Sequence, residues 1–329
     1  MQAGKPDQFL ADVARAYYEQ HLTQERIADL YGVSRSQVSR YVQEAHARGI
    51  VQIRIALPET RDRTAEAALQ ARFPQLTEVV VVSSFTDNPE SGRRVVARAA
   101  ARVLARRVTS GMTVCFGAGR TLADTVALLE PEVRQSVTVV QAMGNAGHEG
   151  LDIDYNAIAQ AAASAFGGRA YQINAPAIVG PGARAAELEA SSPQIQESLR
   201  IARSADLYVL GIGSMSTDVI YVQTGLITAE ELASLRAAGA VGDLCGNFFD
   251  AHGRPCPGPF GERLVGIRLS DLRRAPAVLA CASGEEKVPA IAGALEGRLA
   301  TTLVTDEHTA RGVLALTGGG RRRASPAQP

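Results

Sequence analysis

The side chains best placed to do chemistry sit in short glycine-containing segments. Phe116-Gly117-Ala118-Gly119-Arg120-Thr121 combines two glycines that permit close backbone approach, a threonine hydroxyl, and a helical pattern whose amino end would face a bound anion. The segment lacks the lysine of a P-loop and the third glycine of a dinucleotide fingerprint, so it reads as a phosphate cradle or as a plain tight turn. Ser283-Gly284-Glu285-Glu286-Lys287 is a second turn of this kind. A lysine beside the positive end of a helix is unfavourable unless an anion lies near it; otherwise it is a solvated surface lysine. Asp243, within Gly242 to Asp250, and Asp218, after Gly213-Ser214-Met215-Ser216-Thr217, are carboxylates among small residues, suited to sugar hydroxyls or to capping a turn.

Thr23 to Arg48 (TQERIADLYGVSRSQVSRYVQEAHAR) carries a different chemistry. Thr23 is expected to cap a helix with Ile27, Ala28 and Leu30 or Tyr31 on one side, and Gly32 to supply the positive φ of a sharp turn. Val33 would fill the angle between two helices. Ser34 with Gln37 forms a capping box that opens the second, in which Val38, Tyr41, Val42 and Ala45 recur at helical spacing. Arg35, Ser36, Gln37, Ser39 and Arg40 stand between these apolar positions in the first turns, where a recognition helix meets base edges and phosphates. With Thr23, Gln24 and Ser34 they make up the expected DNA-binding set. Such a polar face is also ordinary helix surface, but no acid interrupts it before Glu44. Gly49-Ile50-Val51 then leads into alternating Val51, Ile53 and Ile55, the pattern of a β-wing.

These segments need elements to hold them. Phe9 to Glu19 is expected to be a helix packed on the other two, and Pro58 with ETRDR to be a linker. Thr64 to Phe73 follows as a helix and Glu78 to Ser83 as a strand buried on both faces, because its valines do not alternate with polar residues. Strands are expected at Met112 to Phe116, Val137 to Ala142, Ala170 to Ile173, Leu207 to Ile212, Val278 to Ala282 and Thr302 to Thr305. Helices are expected at Val95 to Arg107, Leu122 to Leu129, Asn156 to Phe166, Lys287 to Glu296 and Glu307 to Leu316. This alternation implies an α/β domain with a mainly parallel sheet, whose carboxyl strand ends, Asn145 and Gly213 among them, converge on a ligand.

Composition narrows the classes. The chain has 329 residues, 46% of them hydrophobic, and a formal net charge of zero, so attraction to DNA must come from local groups such as Arg35, Arg40 and Arg48. A face this modestly basic calls for paired copies on adjacent half-sites, hence a homo-oligomer. No secretory signal or membrane-length apolar run is evident, so a cytoplasmic protein is expected. Cys115, Cys245, Cys256 and Cys281 are scattered, which argues against a metal site and for buried free thiols.

In detail the chain resembles the SorC family of sugar-binding transcriptional regulators, related to the deoxyribonucleoside regulator. The resemblance runs from the helix pair to about Thr317. It rests on GRTL at Gly119 to Leu122, GIGS at Gly211 to Ser214, GAVGDLCGNFFDAHG at Gly239 to Gly253, ASGEEKVPAIAGAL and LVTDEHTA. It implies an effector domain like the sugar-phosphate isomerase and CoA-transferase superfold, a phosphorylated sugar or related metabolite as ligand, and a tetramer. By the same resemblance, the phosphate would lie against Gly117, Gly119, Arg120 and Thr121 and near Lys287, with sugar hydroxyls against Asp218 and Asp243. The sequence departs from the family at Arg120, which stands between the usual glycine and threonine. No lysine ends the strand at Gln141 to Asn145, where some relatives form a Schiff base, so a covalent adduct is not expected.

The expected organisation is thus a winged helix-turn-helix domain over 1–57, a linker over 58–63, an effector-binding and oligomerisation domain over 64–317, and a disordered tail over 318–329. The expected function is a DNA-binding regulator of carbohydrate metabolism, with double-stranded operator DNA and a sugar phosphate or polyol as partners and with no catalytic residue, cofactor or metal. The alternative is a sugar-phosphate isomerase or deaminase with a DNA-binding head. Against it, His21, His46, His148, His252 and His308 form no evident catalytic arrangement.

Overall fold

Residues three and four apart fold the first segment into helices α1 (Asp7–Tyr18), α2 (Gln24–Tyr31) and α3 (Arg35–Ala47) around Leu10, Val13, Ile27, Val38, Val42 and Ala45. The computed structural model describes residues 5–51, 60–83, 88–131, 133–145, 154–216, 220–258 and 260–318. By its contacts the chain divides into Met1–Pro58 and Glu59–Pro329. Thr23 Oγ1 accepts the Arg26 N–H at 3.2 Å, and Gly32 turns with φ 61°. The box between Ser34 and Gln37 closes in both directions, at 3.3 and 2.9 Å. Of the two residues that could complete the apolar side of α2, Tyr31 does so, packing edge-on against Phe9, whereas Leu30 is 65% exposed. The expected wing falls outside the described residues beyond Val51.

The larger unit begins with α4 (Arg63–Arg72). Its strands are β1 (Glu78–Val82), β2 (Thr113–Phe116), β3 (Thr138–Gln141), β4 (Arg169–Tyr171), β5 (Leu207–Gly211), β6 (Gly213–Ser214), β7 (Gly242–Leu244), β8 (Asn247–Phe249), β9 (Val278–Cys281) and β10 (Thr302–Asp306). Seven make a parallel sheet in the order β1-β10-β9-β5-β2-β3-β4; β6, β7 and β8 form a small antiparallel sheet. Val80, Val82, Val114 and Phe116 pack in one core with residues of α5 (Pro89–Arg107), α6 (Arg120–Ala127) and α7 (Tyr155–Phe166). Val79, Val81, Cys115 and Val140 belong to a second core, with α4 and the helices Val288–Glu296 and Glu307–Gly318. Both faces are therefore covered, which explains the unbroken valine run in β1.

From β2 the chain runs outward to β3 and β4 and then returns to β5 on the other side of β2. The neighbouring ends of β2 and β5 thus form the switch point at which such sheets open a crevice.

Some elements differ from the sequence expectations. The segment expected as a linker at 58–63 is bonded into the larger unit from Thr60 onward: Ser83 N–H donates to Thr60 O at 2.8 Å and Asp62 N–H to Val81 O at 2.9 Å. The helices Ala185–Ser191, Pro193–Arg203 and Ala229–Ala237 were not expected, nor was the β7–β8 hairpin. Pro193 opens its helix rather than breaking one, and Ile195, Leu199 and Ala202 are buried at helical spacing. The tail from 319 onward lies outside the described residues.

Glu66, 5% exposed, fastens α4 to β1. It accepts from Arg61 Nε at 2.6 Å, Arg63 Nη1 at 3.1 Å and Val81 N–H at 3.0 Å. Glu66→Ala leaves the Val81 amide and the half-buried Arg61 without this acceptor and is expected to cost about 2 kcal/mol in urea unfolding. A loss of only a few tenths would mean that water replaces the carboxylate.

Candidate effector-binding site

At the end of β2, Gly117 is buried, and a Cβ there would lie 2.8 Å from Cys245 Sγ and 3.2 Å from Leu210 Cδ2, so only glycine lets the chain pass. Gly119 has φ 132° and ψ 163°, a conformation open to glycine, and stands as the N-cap of α6 with no side-chain hydrogen bond to the first amides. The space beside it is open. Arg120 is exposed at the first helical position, and its side chain has no hydrogen-bond partner among the described residues. Thr121 is half-buried, and its carbonyl accepts the Thr125 hydroxyl at 2.7 Å.

Gly284, at the end of β9, repeats the device with φ 115° and ψ 142° before the single turn Glu285–Lys287. Its N–H is held by Thr309 Oγ1 at 2.9 Å. The turn delivers Lys287, whose Nζ donates to the carbonyl of Ile212 beyond β5 at 2.7 Å. Burial pushes Lys287 below the ordinary lysine range, against the pull of Glu286 and Asp243; the charge of Arg120 pushes it the same way as burial. Lys287 therefore lies within the fields of both Arg120 and Asp243.

Asp243 comes from β7, whose pairing with β6 sets it opposite Gly213. A Cβ on Gly213 would fall 1.9 Å from Asp243 Oδ1, so the missing side chain is the space the carboxylate fills. Asp243 is 3% exposed. Its Oδ2 accepts the Tyr221 hydroxyl and the Gly246 N–H, both at 2.9 Å. The tight turn at Cys245 (φ 49°) and Gly246 (φ 74°) delivers that amide. Burial raises the Asp243 carboxyl above its ordinary range, while the two hydrogen bonds and Lys287 act to lower it. Cys245 is pushed up to about 12 by burial and by Asp243, against a hydrogen bond from the Ala118 N–H.

The structure thus brings Gly117, Arg120, Gly213, Asp243 and Lys287 together at the ends of β2, β5 and β9. Asn145 lies beyond the end of β3, one strand further, and its side-chain oxygen accepts Gln141 Nε2 at 3.2 Å. Asp218 lies outside the described residues. Sequence reasoning missed Tyr221, Cys245 and Gln141. The last could have been found as a lone polar residue ending a buried valine strand; it is 2% exposed and also bonds Asn156 Oδ1 and the Ile173 N–H. Among the described residues no group of His, Cys, Asp and Glu is placed to hold a metal, and no described helix is long and apolar enough to cross a membrane.

On the smaller unit, Arg35, Ser36 and Arg40 are exposed along the first turns of α3, with Ser39 half-buried between them. Arg35 lies 3.8 Å from Glu25 across the turn, an exposed and therefore weak pair. Ser34 and Gln37 are engaged in the capping box, and Ser34 Oγ is also 3.0 Å from Ser36 Oγ. Thr23 caps α2, and Gln24 is its half-buried first residue.

Asp243 yields a pH test. An acid whose pKa rises on folding adds stability that is complete below the ordinary carboxylate range and is lost as pH climbs through the folded value. Asp243→Asn ends that titration and keeps an oxygen for Tyr221 and Gly246. The variant is therefore expected to gain stability relative to the parent from acid to neutral pH in urea unfolding, and a difference that does not vary with pH would contradict the assignment.

A family model described as "Putative sugar-binding domain" matches residues 58–315. The chain is 30% identical over 307 residues to the deoxyribonucleoside regulator of Bacillus subtilis, covering 93% of this chain and 97% of that one. It is 31% identical over 316 residues to the transcriptional regulator LsrR of an Enterobacter species, covering 95% and 94%. The full-length sorbitol operon regulator SorC from Klebsiella pneumoniae superposes with a TM-score of 0.70 at 27% identity, over 94% of this chain and 99% of that one. Motifs, mixed α/β fold and relatives along nearly the whole length agree, and the chain belongs to the SorC family of sugar-binding transcriptional regulators.

Proposed function

We propose that the chain binds operator DNA through its first 57 residues, as a winged helix-turn-helix, and that a phosphorylated sugar or related polyol bound by the larger unit controls that binding. The observation that carries the effector half is the pairing of an uncapped α6 amino end with Lys287 and Arg120 at the sheet's switch point. Three sources of positive potential there, beside glycines that leave the backbone accessible, suit a phosphate. Asp243 and the hydroxyl of Tyr221 border the same place and suit sugar hydroxyls. One relative is named a deoxyribonucleoside regulator and another a sorbitol operon regulator, which supports a carbohydrate effector. Residues 64–317 would form the effector and oligomerisation domain, on the sugar-phosphate isomerase and CoA-transferase superfold, in a cytoplasmic homotetramer. An enzyme reading finds less support, because the relatives are named as transcriptional or operon regulators.

A thermal-shift screen against paired free and phosphorylated pentoses and hexoses tests the effector, since a ligand of the folded state raises the melting temperature. A larger shift for the phosphorylated member of each pair than for its free counterpart is expected; equal or larger shifts by the free sugars would remove the phosphate from the reading. In Lys287→Ala the affinity for a phosphorylated ligand should fall by about 1.5–3 kcal/mol, the worth of a charge-assisted bond, with little change for its free counterpart. Equal losses would make Lys287 structural.

On the DNA side, Arg40→Ala should weaken operator binding by about 1–3 kcal/mol per head without altering the thermal shift by effector. An unchanged operator affinity would take Arg40 off the reading face.

A further inference from the structure

A concavity lies away from the cluster of Lys287 and Asp243 and shares no lining residue with it. It is an open groove of about 690 Å³ at the sheet edge, where β4 ends between α7 and the helix Pro193–Arg203. That volume is in the range of small-molecule sites. Its walls carry the carboxamides of Gln160, Gln172, Asn174 and Gln194, the ring of Tyr171 and the hydroxyl of Ser198. None of the four carboxamides has a side-chain hydrogen-bond partner among the described residues. Tyr171, 39% exposed, is one of four exposed large apolar side chains among the described residues. No lysine or arginine lines the groove, and its one acid, Glu197, is matched by Arg200 in a two-pronged pair at 2.7 and 2.6 Å.

We propose that this groove binds an uncharged sugar or polyol, at a site separate from the phosphate-type site at the switch point. A carboxamide offers a donor and an acceptor side by side, which matches a vicinal diol, and an exposed tyrosine ring offers an apolar face for a sugar ring to lie on. The absence of cations from the lining sets it apart from the switch-point cluster and disfavours a phosphate. Exposed hydrogen bonds are individually weak, so a dissociation constant of millimolar order is expected. The wall of the groove is also hydrogen-bonded to the interior. Ile173, between Gln172 and Asn174, donates its N–H to Gln141 Oε1 at 2.7 Å, and Gln141 in turn donates to Asn145. The same wall is thereby tied to the end of β3.

Calorimetric titration of the full-length protein with D-ribose, D-glucose and ribitol tests the site, using Tyr171→Ala and Gln194→Ala. Both side chains are exposed, so neither variant should disturb folding. Binding of at least one probe, weakened tenfold or more in each variant and unchanged in Asp243→Asn, is the expected result. Absence of binding by all three probes, or binding that survives both groove variants, would overturn the proposal. Binding lost in Asp243→Asn and kept in both groove variants would overturn it too, by returning the sugar to the switch-point cluster. A change of oligomeric state in Tyr171→Ala without sugar binding would identify the groove as a contact between copies, which also contradicts it.

Discussion

The enclosure of the Asp243 carboxylate against Gly213 constrains the whole strand-end cluster. A carboxylate removed from water is costly unless its oxygens are bonded and a cation is near. Here Oδ2 takes two hydrogen bonds and Oδ1 occupies the place of a side chain that Gly213 lacks. These needs fix several elements at once. The β7–β8 turn must carry residues able to adopt positive φ, β6 must begin with glycine, and Tyr221 must point inward. Lys287 lies within the field of the acid and is pinned to Ile212 O, so the cation that could meet an anion is already oriented.

The glycines at the ends of β2 and β9 serve a related purpose. Gly119 and Gly284 adopt backbone angles that side-chain-bearing residues rarely reach, and each turns a buried strand directly into a helical turn. The first exposes amides of α6, and the second places a lysine. Across the sheet at β3, Gln141 plays the part of a buried polar tie, joining Asn145, Asn156 and Ile173 where an apolar residue would have left the neighbouring amide unbonded.

Much of this was legible in the sequence because it depends on local rules. The capping box, the positive φ of Gly32 and the valine run of β1 follow from neighbours a few residues apart. The glycine-rich strand ends were visible, and so were Lys287 and Asp243 as chemically apt residues. What was hidden is set by contacts distant in sequence. Asp243 read as a residue in a turn, whereas its partners Tyr221 and Gly213 are fixed by the antiparallel sheet. Leu30 and Tyr31 were equivalent by spacing, and only Phe9 from α1 separates them. Thr60 to Arg63 read as polar linker because the acceptors that order it, Val81 and Glu66, lie on other elements. The helix Pro193–Arg203 was not expected, although Ile195, Leu199 and Ala202 recur at helical spacing.

The central claim is that occupancy of the strand-end cluster and operator binding are linked equilibria, so that each ligand alters the affinity for the other. The most direct test is the anisotropy of a labelled operator duplex, titrated with the protein in the presence and absence of a phosphorylated sugar known to bind it. A displaced operator binding curve is expected with that ligand and an undisplaced one with the same sugar lacking its phosphate. An operator affinity unmoved by a saturating, bound sugar phosphate would contradict it.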